Sequence, residues 1–272
     1  MTITTDTARL PLLLTSLRLP TVARLWPHIG ATADTEGWPA ARTLATLLEH
    51  EVAERANRRT ARHLAEARLP VGKTLDTFDF AAVPMISRAR VTALAEGDSW
   101  LDIGTNILVF GPPGVGKTHL SAALGHALVE AGHRVLFTRT TDLVQQFQTA
   151  WQELRLAAAI EKLDKYRLLI LDDLSYVQKS QAETSVLFEL ISARYERRSI
   201  LITANQPFGA WDAIFPDPAM TVAAIDRLVH HAIILEMNTA SYRRKTAEAR
   251  IAHRNRRATL QIATTVIFWL GQ

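Results

Sequence analysis

The chain has 272 residues and a formal net charge of +4, enough length for one large or two small domains and a weak indication of an anionic partner. It contains no cysteine, so disulfides and thiolate metal sites are excluded and a reducing cytoplasm is favoured. The first twenty residues are interrupted by prolines and do not resemble a secretory signal. No apolar run approaches the roughly 20 residues that are needed to cross a bilayer.

Residues 8 to about 68 carry helical patterns without strand signals. The spacing predicts one or two short helices broken by Pro20 and Pro27, followed by a longer helix. We therefore expect a small all-helical domain over residues 1–69. The apolar residues that carry the helical pattern are Leu13, Leu17, Val22, Leu25, Ile29, Leu44, Leu47, Leu48 and Val52.

From Ile103 onward the pattern alternates between strand and helix. Five apolar runs rich in β-branched residues predict strands, and helical patterns separate them. The connection rules then favour a parallel sheet with helices on both faces. This α/β domain is expected over residues 70–250, followed by a basic and apolar tail over 251–272. The predicted strands are 107–110, 135–138, 168–171, 200–203 and 233–236.

A glycine-rich loop links the first predicted strand to the following helix. Residues 111–118 match the phosphate-binding pattern G-x-x-x-x-G-K-[ST], with the strand and helix that this loop requires on either side. Inward N–H groups and the helix N-terminus favour a polyphosphate, Lys117 would contact the β- and γ-phosphates, and Thr118 would bind Mg²⁺. The predicted nucleoside triphosphate site comprises Gly111, Pro112, Pro113, Gly114, Val115, Gly116, Lys117 and Thr118.

Two carboxylates end the third predicted strand. Ligands bind at the carboxyl ends of parallel strands, so Asp172 and Asp173 should meet the phosphate loop. Asp172 suits Mg²⁺ coordination through water, and Asp173 suits polarising the attacking water; a solvated strand end is the alternative. Asn205, after the next strand, would hold that water or a γ-phosphate oxygen, although asparagine is also a common turn residue.

Two arginines are candidates for stabilising charge on a transferred phosphoryl group. Arg227 precedes the last predicted strand, and Arg243 follows it. From the residues alone, a surface salt bridge explains Arg227 equally well, and Arg243 fits equally well in the basic tail. The histidines indicate no metal site, because the adjacent His230 and His231 are expected to point in different directions.

Positive charge is concentrated in two stretches of the chain. A solvated helix face would explain either stretch alone. In a chain that also binds a nucleotide, the two together favour a polyphosphate backbone as partner. The first stretch comprises Arg55, Arg58, Arg59, Arg62 and Arg68, and the second comprises Arg243, Arg244, Lys245, Arg250, Arg254, Arg256 and Arg257.

Six motifs follow one another in order between about residues 70 and 248. They are 74–80 (TLDTFDF), 111–120 (GPPGVGKTHL), 171–174 (LDDL), 202–207 (ITANQP), 225–228 (IDRL) and 241–245 (SYRRK). In this order and spacing the chain resembles the AAA+ ATPases, and more narrowly the IstB-like transposition helper proteins, which are related to the DnaC-type helicase loaders.

The resemblance implies a P-loop core with a five-stranded parallel sheet in the order 5-1-4-3-2, binding ATP and Mg²⁺. Asn205 would be a sensor residue, and Arg227 would act in trans at the nucleotide of a neighbouring subunit. Arg243 matches a second sensor. The residues expected near the adenine and at the end of the phosphate-loop motif are Phe78, Phe80 and His119.

The resemblance also implies a function. Family members form ATP-dependent homo-oligomers on duplex DNA, hydrolyse ATP and deliver target DNA to a transposase of the same mobile element. A helicase loader is the main alternative, followed by a small-molecule kinase and an ATP-bound scaffold. The acid pair common across AAA+ proteins is Asp-Glu, so the shorter Asp173 predicts slow or assembly-dependent hydrolysis. The expected DNA contacts are Arg55, Arg58, Arg59, Arg139, Thr140, Thr141, Lys179 and Ser180.

Overall fold

The computed structural model describes residues 2–174, 180–206, 211, 217–239 and 241–242. The chain divides into two compact units, Met1–Ala65 and Glu66–Gln272. Among the helices described, none combines the length and apolar character that spanning a membrane requires. The expected tail over 251–272 lies outside the described residues.

The first unit consists of three helices, α1 (Thr2–Ser16), α2 (Pro20–Glu36) and α3 (Ala40–Ala67), the last of which continues past the boundary. Its small core contains Leu14, Val22, Ile29 and Leu47. The all-helical prediction is confirmed for these residues.

Pro27 lies inside α2, so the prediction that it breaks the helix is wrong. An interior proline costs roughly 3 kcal/mol because it removes one hydrogen bond and crowds the preceding turn. Val22 and Ile29, on either side of it, are both buried in the core of the unit. This packing supports the helix through the proline, whereas Pro20 occupies the first turn, where its missing N–H has no intrahelical partner to lose.

A buried carboxylate on α3 holds the start of α2. Glu51 Oε2 accepts the backbone N–H groups of Thr21 (2.8 Å) and Val22 (3.1 Å), and Oε1 accepts Nε of Arg55 (2.9 Å). Burial alone would raise the pKa of Glu51, but the two N–H donors and the arginine outweigh burial and lower it. The charged form of Glu51 therefore caps α2.

The second unit is built on a five-stranded parallel sheet in the order β2-β3-β4-β1-β5. This is the predicted strand order 5-1-4-3-2, read starting from β2 instead of β5, and all five predicted strands are confirmed. Strands β1, β3 and β4 are buried throughout, which explains their continuous apolar runs. The strands are β1 (Asn106–Phe110), β2 (Val135–Arg139), β3 (Leu168–Asp172), β4 (Ser199–Ala204) and β5 (Ala232–Glu236).

Helices cover both faces of the sheet, as the connection rules predict. One apolar layer joins α6 to the sheet through Leu120, Leu124 and Leu128, and the other joins α7 and α9 through Phe147 and Leu190. The helices of this unit are α4 (Arg88–Glu96), α5 (Asp98–Asp102), α6 (Lys117–Glu130), α7 (Thr140–Gln152), α8 (Leu156–Glu161), α9 (Gln181–Arg194) and α10 (Pro218–Val229).

The register of the sheet determines which residues lie together. Phe110 pairs with Ala204, and Leu171 pairs with Ile202. The residues that follow these strands therefore meet at one edge, the carboxyl edge of the sheet. The starts of β1, β4 and β5 form the opposite, amino edge.

Candidate nucleotide site

The glycine-rich loop connects β1 to α6 at the carboxyl edge. A Cβ at Gly111 would lie 2.4 Å from the carbonyl oxygen of Met237, so no side chain fits there. Gly116 precedes α6 with φ +106°, in the left-handed region that favours glycine. The first N–H groups of α6 consequently open toward the loop, in the arrangement that binds phosphate.

Lys117 is the first residue of α6 and is only 8% exposed. Its Nζ donates to the carbonyl oxygens of Gly111 (2.6 Å) and Pro112 (3.0 Å) and to Oδ1 of Asn205 (2.7 Å). The ammonium group therefore holds the loop closed and joins it to the end of β4. The structure thus places Asn205 beside the phosphate loop.

The acid pair, Asp172 and Asp173, lies beside Thr118. Oγ1 of Thr118 donates to both carboxylate oxygens of Asp172, each at 3.0 Å, and Asp172 is only 8% exposed. Asp173 is half-buried, and its Oδ1 lies 3.5 Å from Nδ2 of Asn205. A hydroxyl and a carboxylate are the hard oxygen ligands that Mg²⁺ prefers, so Thr118 and Asp172 fit a magnesium site.

Sequence reasoning assigned no role to Thr203, which links the two acids. Its Oγ1 donates to Oδ1 of Asp172 at 2.7 Å and accepts the backbone N–H of Asp173 at 2.8 Å. Thr203 is the penultimate residue of β4 and is 1% exposed. The available signal was its position two residues before Asn205.

An aromatic segment packs against the start of α6. Phe78 is buried, and its ring centroid lies 4.8 Å from that of Phe80 and 5.4 Å from that of His119. Nε2 of His119 lies 3.0 Å from Oγ1 of Thr77, and burial is the main cause that lowers the His119 pKa. A Cβ at Gly116 would be 3.4 Å from Phe78. Phe78, Phe80 and His119 are thus gathered at one end of the phosphate loop.

The chain after β5 returns to the phosphate loop. The N–H of Met237 donates to Phe110 O at 2.8 Å, and the N–H of Tyr242 donates to Gly114 O at 3.1 Å. Sequence reasoning did not foresee either contact. Arg243 directly follows Tyr242 but lies outside the described residues.

Arg227 lies at the amino edge, away from the phosphate loop of its own chain. It is in the last turn of α10, and the next residue, Leu228, accepts a 3.1 Å hydrogen bond from the side chain of Asn106, at the start of β1. The phosphate loop begins after the other end of β1, so it lies about 16 Å from Asn106 at the usual rise per strand residue. The guanidinium donates to Ala223 O at 3.0 Å and lies 5.1 Å over the Phe188 ring.

Five predicted DNA contacts fall in the second unit. Arg139 and Thr141 are exposed, at the end of β2 and the start of α7. Ser180 is exposed but forms a capping box with Glu183 at the start of α9. Lys179 lies outside the described residues.

Thr140 corrects the predicted DNA surface. This residue is fully buried, and its hydroxyl donates to the backbone carbonyl of Asp172 at 3.1 Å. The side chain points inward because α7 starts directly on the end of β2, next to β3. Thr140 therefore supports the acid pair and is inaccessible to DNA.

The predicted DNA contacts of the first unit lie on α3. Arg55, Arg58 and Arg59 are all exposed. Arg55 and Arg58 each approach Oε1 of Glu51, at 2.9 Å and 3.6 Å. About half of each of these two side chains remains open to solvent, so their charge is only partly engaged inside the unit.

The structure also corrects the expectation for the adjacent histidines. Nδ1 of His230 and Nε2 of His231 both lie 3.9 Å from Oε1 of Glu196, so the two rings converge on one carboxylate. The turn at the amino edge brings the rings to 4.0 Å from each other. All three residues are exposed and lie at the edge opposite the phosphate loop.

Comparison with protein families identifies the chain over most of its length. Residues 12–250 match the model of the IstB-like ATP-binding proteins, so the match includes much of the helical unit as well as the range expected from the motifs. An insertion sequence ATP-binding protein of Sinorhizobium fredii is 67% identical over 96% of this chain and 87% of its own. The IS21 ATP-binding protein of Pseudomonas aeruginosa is 42% identical over 74% of this chain and 76% of its own.

Solved structures with the same fold include replication proteins. The DnaC helicase loader superposes with a TM-score of 0.51 at 22% identity, over 61% of this chain and 97% of its own. AMPPCP-bound DnaA from Aquifex aeolicus superposes with a TM-score of 0.52 at 19% identity, over 62% of this chain and 51% of its own. These likenesses show that the chain shares the fold of these proteins. With the sheet order, the loop geometry and the family match together, the chain belongs to the family of IstB-like ATP-binding proteins.

Proposed function

We propose that this protein is an ATP-hydrolysing helper of transposition that works as an oligomer on duplex DNA. ATP between adjoining protomers holds the assembly on target DNA, and hydrolysis releases it once the partner transposase engages. The observation that carries this proposal is the position of Arg227, at the amino edge of the sheet, while the phosphate loop and acid pair lie at the carboxyl edge.

Each residue at the carboxyl edge has a distinct task in hydrolysis. The N–H groups of the loop and of the first turn of α6 bind the phosphates, and Lys117 moves from its carbonyl partners to the β- and γ-phosphates. Thr118 and Asp172 would hold Mg²⁺, which would neutralise charge on the phosphates when bound. Asp173 and Asn205 orient and polarise the attacking water.

The assembly supplies the remaining cation. Arg227 of one protomer approaches the γ-phosphate in the site of the next, where it stabilises the charge of the transition state. Such a contact is head-to-tail, so it generates rings or helical filaments rather than an isolated dimer. ATP binding and assembly are coupled because each completed site lies between two copies.

Each unit contributes DNA contacts of its own. In the helical unit, the exposed Arg55, Arg58 and Arg59 of α3 contact the phosphate backbone, and in the second unit Arg139 does so at the end of β2. Contacts to the backbone carry little sequence information and weaken steeply with salt. The proposed DNA binding is accordingly salt-sensitive and tolerant of sequence.

Assembly is tested by size-exclusion chromatography with light scattering, in the presence of duplex DNA and a non-hydrolysable ATP analogue. We expect a nucleotide-dependent oligomer with wild-type protein and none with Lys117→Ala, which serves as the matched control. A wild-type protein that stays monomeric under these conditions would reject the proposal.

The identity of the macromolecular partner needs a separate experiment. The purified protein, bound to duplex DNA and ATP analogue, is offered the transposase encoded beside it and, in parallel, the replicative helicase of the same host. We expect retention of the transposase alone. Retention of the helicase instead would assign the chain to the loaders.

A further inference from the structure

We propose that Thr203 is a positioning residue that sets both carboxylates of the acid pair for metal-dependent ATP hydrolysis. The inference rests on the proposed function, because it concerns the same site. It assigns a task to the hydroxyl group of one buried strand residue that bonds to both members of the acid pair.

The direction of each hydrogen bond follows from chemistry. A backbone N–H can only donate, so Oγ1 of Thr203 accepts from Asp173 at 2.8 Å. The single hydroxyl proton then goes to Oδ1 of Asp172 at 2.7 Å. One hydroxyl group thus ties the side chain of the first acid to the backbone of the second.

The first consequence concerns Asp172. Its carboxylate accepts from Thr203 and from Thr118, whose Oγ1 lies 3.0 Å from both oxygens. Two hydroxyl donors from different elements, β4 and α6, hold the carboxylate plane in one orientation. Outer partners of this kind orient metal ligands and tune their affinity.

The second consequence concerns the backbone of Asp173, which has φ +65°. This left-handed conformation is uncommon for a residue with a side chain and needs support from its surroundings. Thr203 provides it on both sides, because its hydroxyl accepts the N–H of Asp173 and its carbonyl oxygen accepts the N–H of Leu174 at 2.9 Å. The turn after β3 is therefore held by β4, which directs the Asp173 carboxylate toward Asn205.

The residue type at this position is accordingly constrained. Valine has the same shape as threonine but no hydroxyl, so it would remove the hydrogen bond that the Asp173 N–H donates and the one that Oδ1 of Asp172 accepts from this position. Serine retains the hydroxyl and loses only a methyl group. Because Thr203 is 1% exposed, water cannot readily replace the lost hydroxyl.

Thr203→Val, Thr203→Ser and the control Thr138→Val separate this role from a general effect on the sheet. Thr138 lies on the edge strand β2, and within the described part of the chain its hydroxyl bonds to the neighbouring Arg139 O. We expect Thr203→Val to raise the Mg²⁺ concentration for half-maximal ATPase activity and to lower kcat, each by about tenfold or more. Metal-free binding of a fluorescent ATP analogue should change by less than about twofold, since the phosphate loop is intact. Thr203→Ser should restore both parameters.

An unchanged Mg²⁺ dependence and kcat in Thr203→Val would overturn the inference. If the wild-type protein hydrolyses no ATP, the proposed function fails, and the Mg²⁺-dependent gain in ATP-analogue affinity still tests Thr203 by itself. Amide exchange in the wild-type protein provides a measurement that needs no variant. Slow exchange of the Asp173 N–H is expected, and exchange at the rate of an open loop would contradict the bond to Thr203.

Discussion

The two edges of the parallel sheet differ in how their polar side chains are held. At the carboxyl edge, Lys117, Thr118, Asp172, Thr203 and Asn205 share hydrogen bonds of 2.7–3.0 Å across three elements. At the amino edge, the half-buried Arg227 is anchored to its own helix and to the ring of Phe188. The polar side chains of the carboxyl edge are therefore held by one another, whereas Arg227 at the amino edge is held by its own helix and by Phe188.

This difference indicates a division of labour between copies of the chain. Nucleotide-binding groups gain from being preorganised within one chain, since fixed dipoles and donors need no rearrangement during the reaction. A cation supplied by another copy makes hydrolysis depend on assembly. The comparison therefore predicts that changes at the two edges affect different steps.

Arg227→Ala should have the largest effect. We expect the DNA-stimulated ATPase rate to fall by on the order of 10³, because the charge of the transition state loses its partner across the interface. ATP-analogue affinity of the isolated protomer should stay unchanged. Arg197→Ala is the matched control, since Arg197 is another arginine near the amino edge, is exposed, and pairs with Asp164 at 3.0 Å. Equal losses in both variants would break the comparison.

Asp173→Asn should reduce the hydrolysis rate by on the order of 10²–10³, because the amide cannot polarise the attacking water. Binding of ATP and assembly should persist, so the variant should remain on duplex DNA longer than wild type when ATP is supplied. Dissociation rates from immobilised DNA measure this. A variant that leaves DNA as fast as wild type would favour a scaffold that uses ATP only as a ligand.

Lys117→Ala should weaken ATP-analogue binding by about tenfold to 100-fold, because a charge-assisted contact to the phosphates is lost. The effect should appear in the monomer, without DNA. Lys165→Ala provides the control, because Nζ of Lys165 forms a surface ion pair with Oε2 of Glu66 at 3.9 Å. Titration with a fluorescent ATP analogue measures both variants, and unchanged affinity in Lys117→Ala would contradict the proposed phosphate site.

Glu51→Gln should have the smallest effect and should be confined to the helical unit. The pKa of Glu51 is lowered in the folded protein from its ordinary 4.5. Its stabilisation is therefore present above pH 4.5 and disappears as pH falls through the folded-state pKa. We expect a loss of about 1–3 kcal/mol in the free energy of unfolding at pH 7 and a smaller difference at pH 3. Urea denaturation at both values tests this, with the exposed Glu49→Gln as control.

Local patterns were sufficient to predict the strands, the phosphate loop and the acid pair. Buried parallel strands are continuous apolar runs, and the loop requires glycines at fixed spacing. The role of Thr203 and the burial of Thr140 were not predictable in this way, because both depend on register between strands far apart in sequence. Pro27 was misjudged for the same reason, since the packing of α2 outweighs the local rule.

Mixing two inactive variants tests the central claim most directly. Arg227→Ala retains the acid pair, and Asp173→Asn retains the arginine, so a mixed interface restores one complete site. At equal amounts about one quarter of head-to-tail interfaces are complete, and we expect ATPase activity of that order relative to wild type, with DNA present. If the mixture is as inactive as its components, Arg227 does not act on the nucleotide of a neighbouring copy.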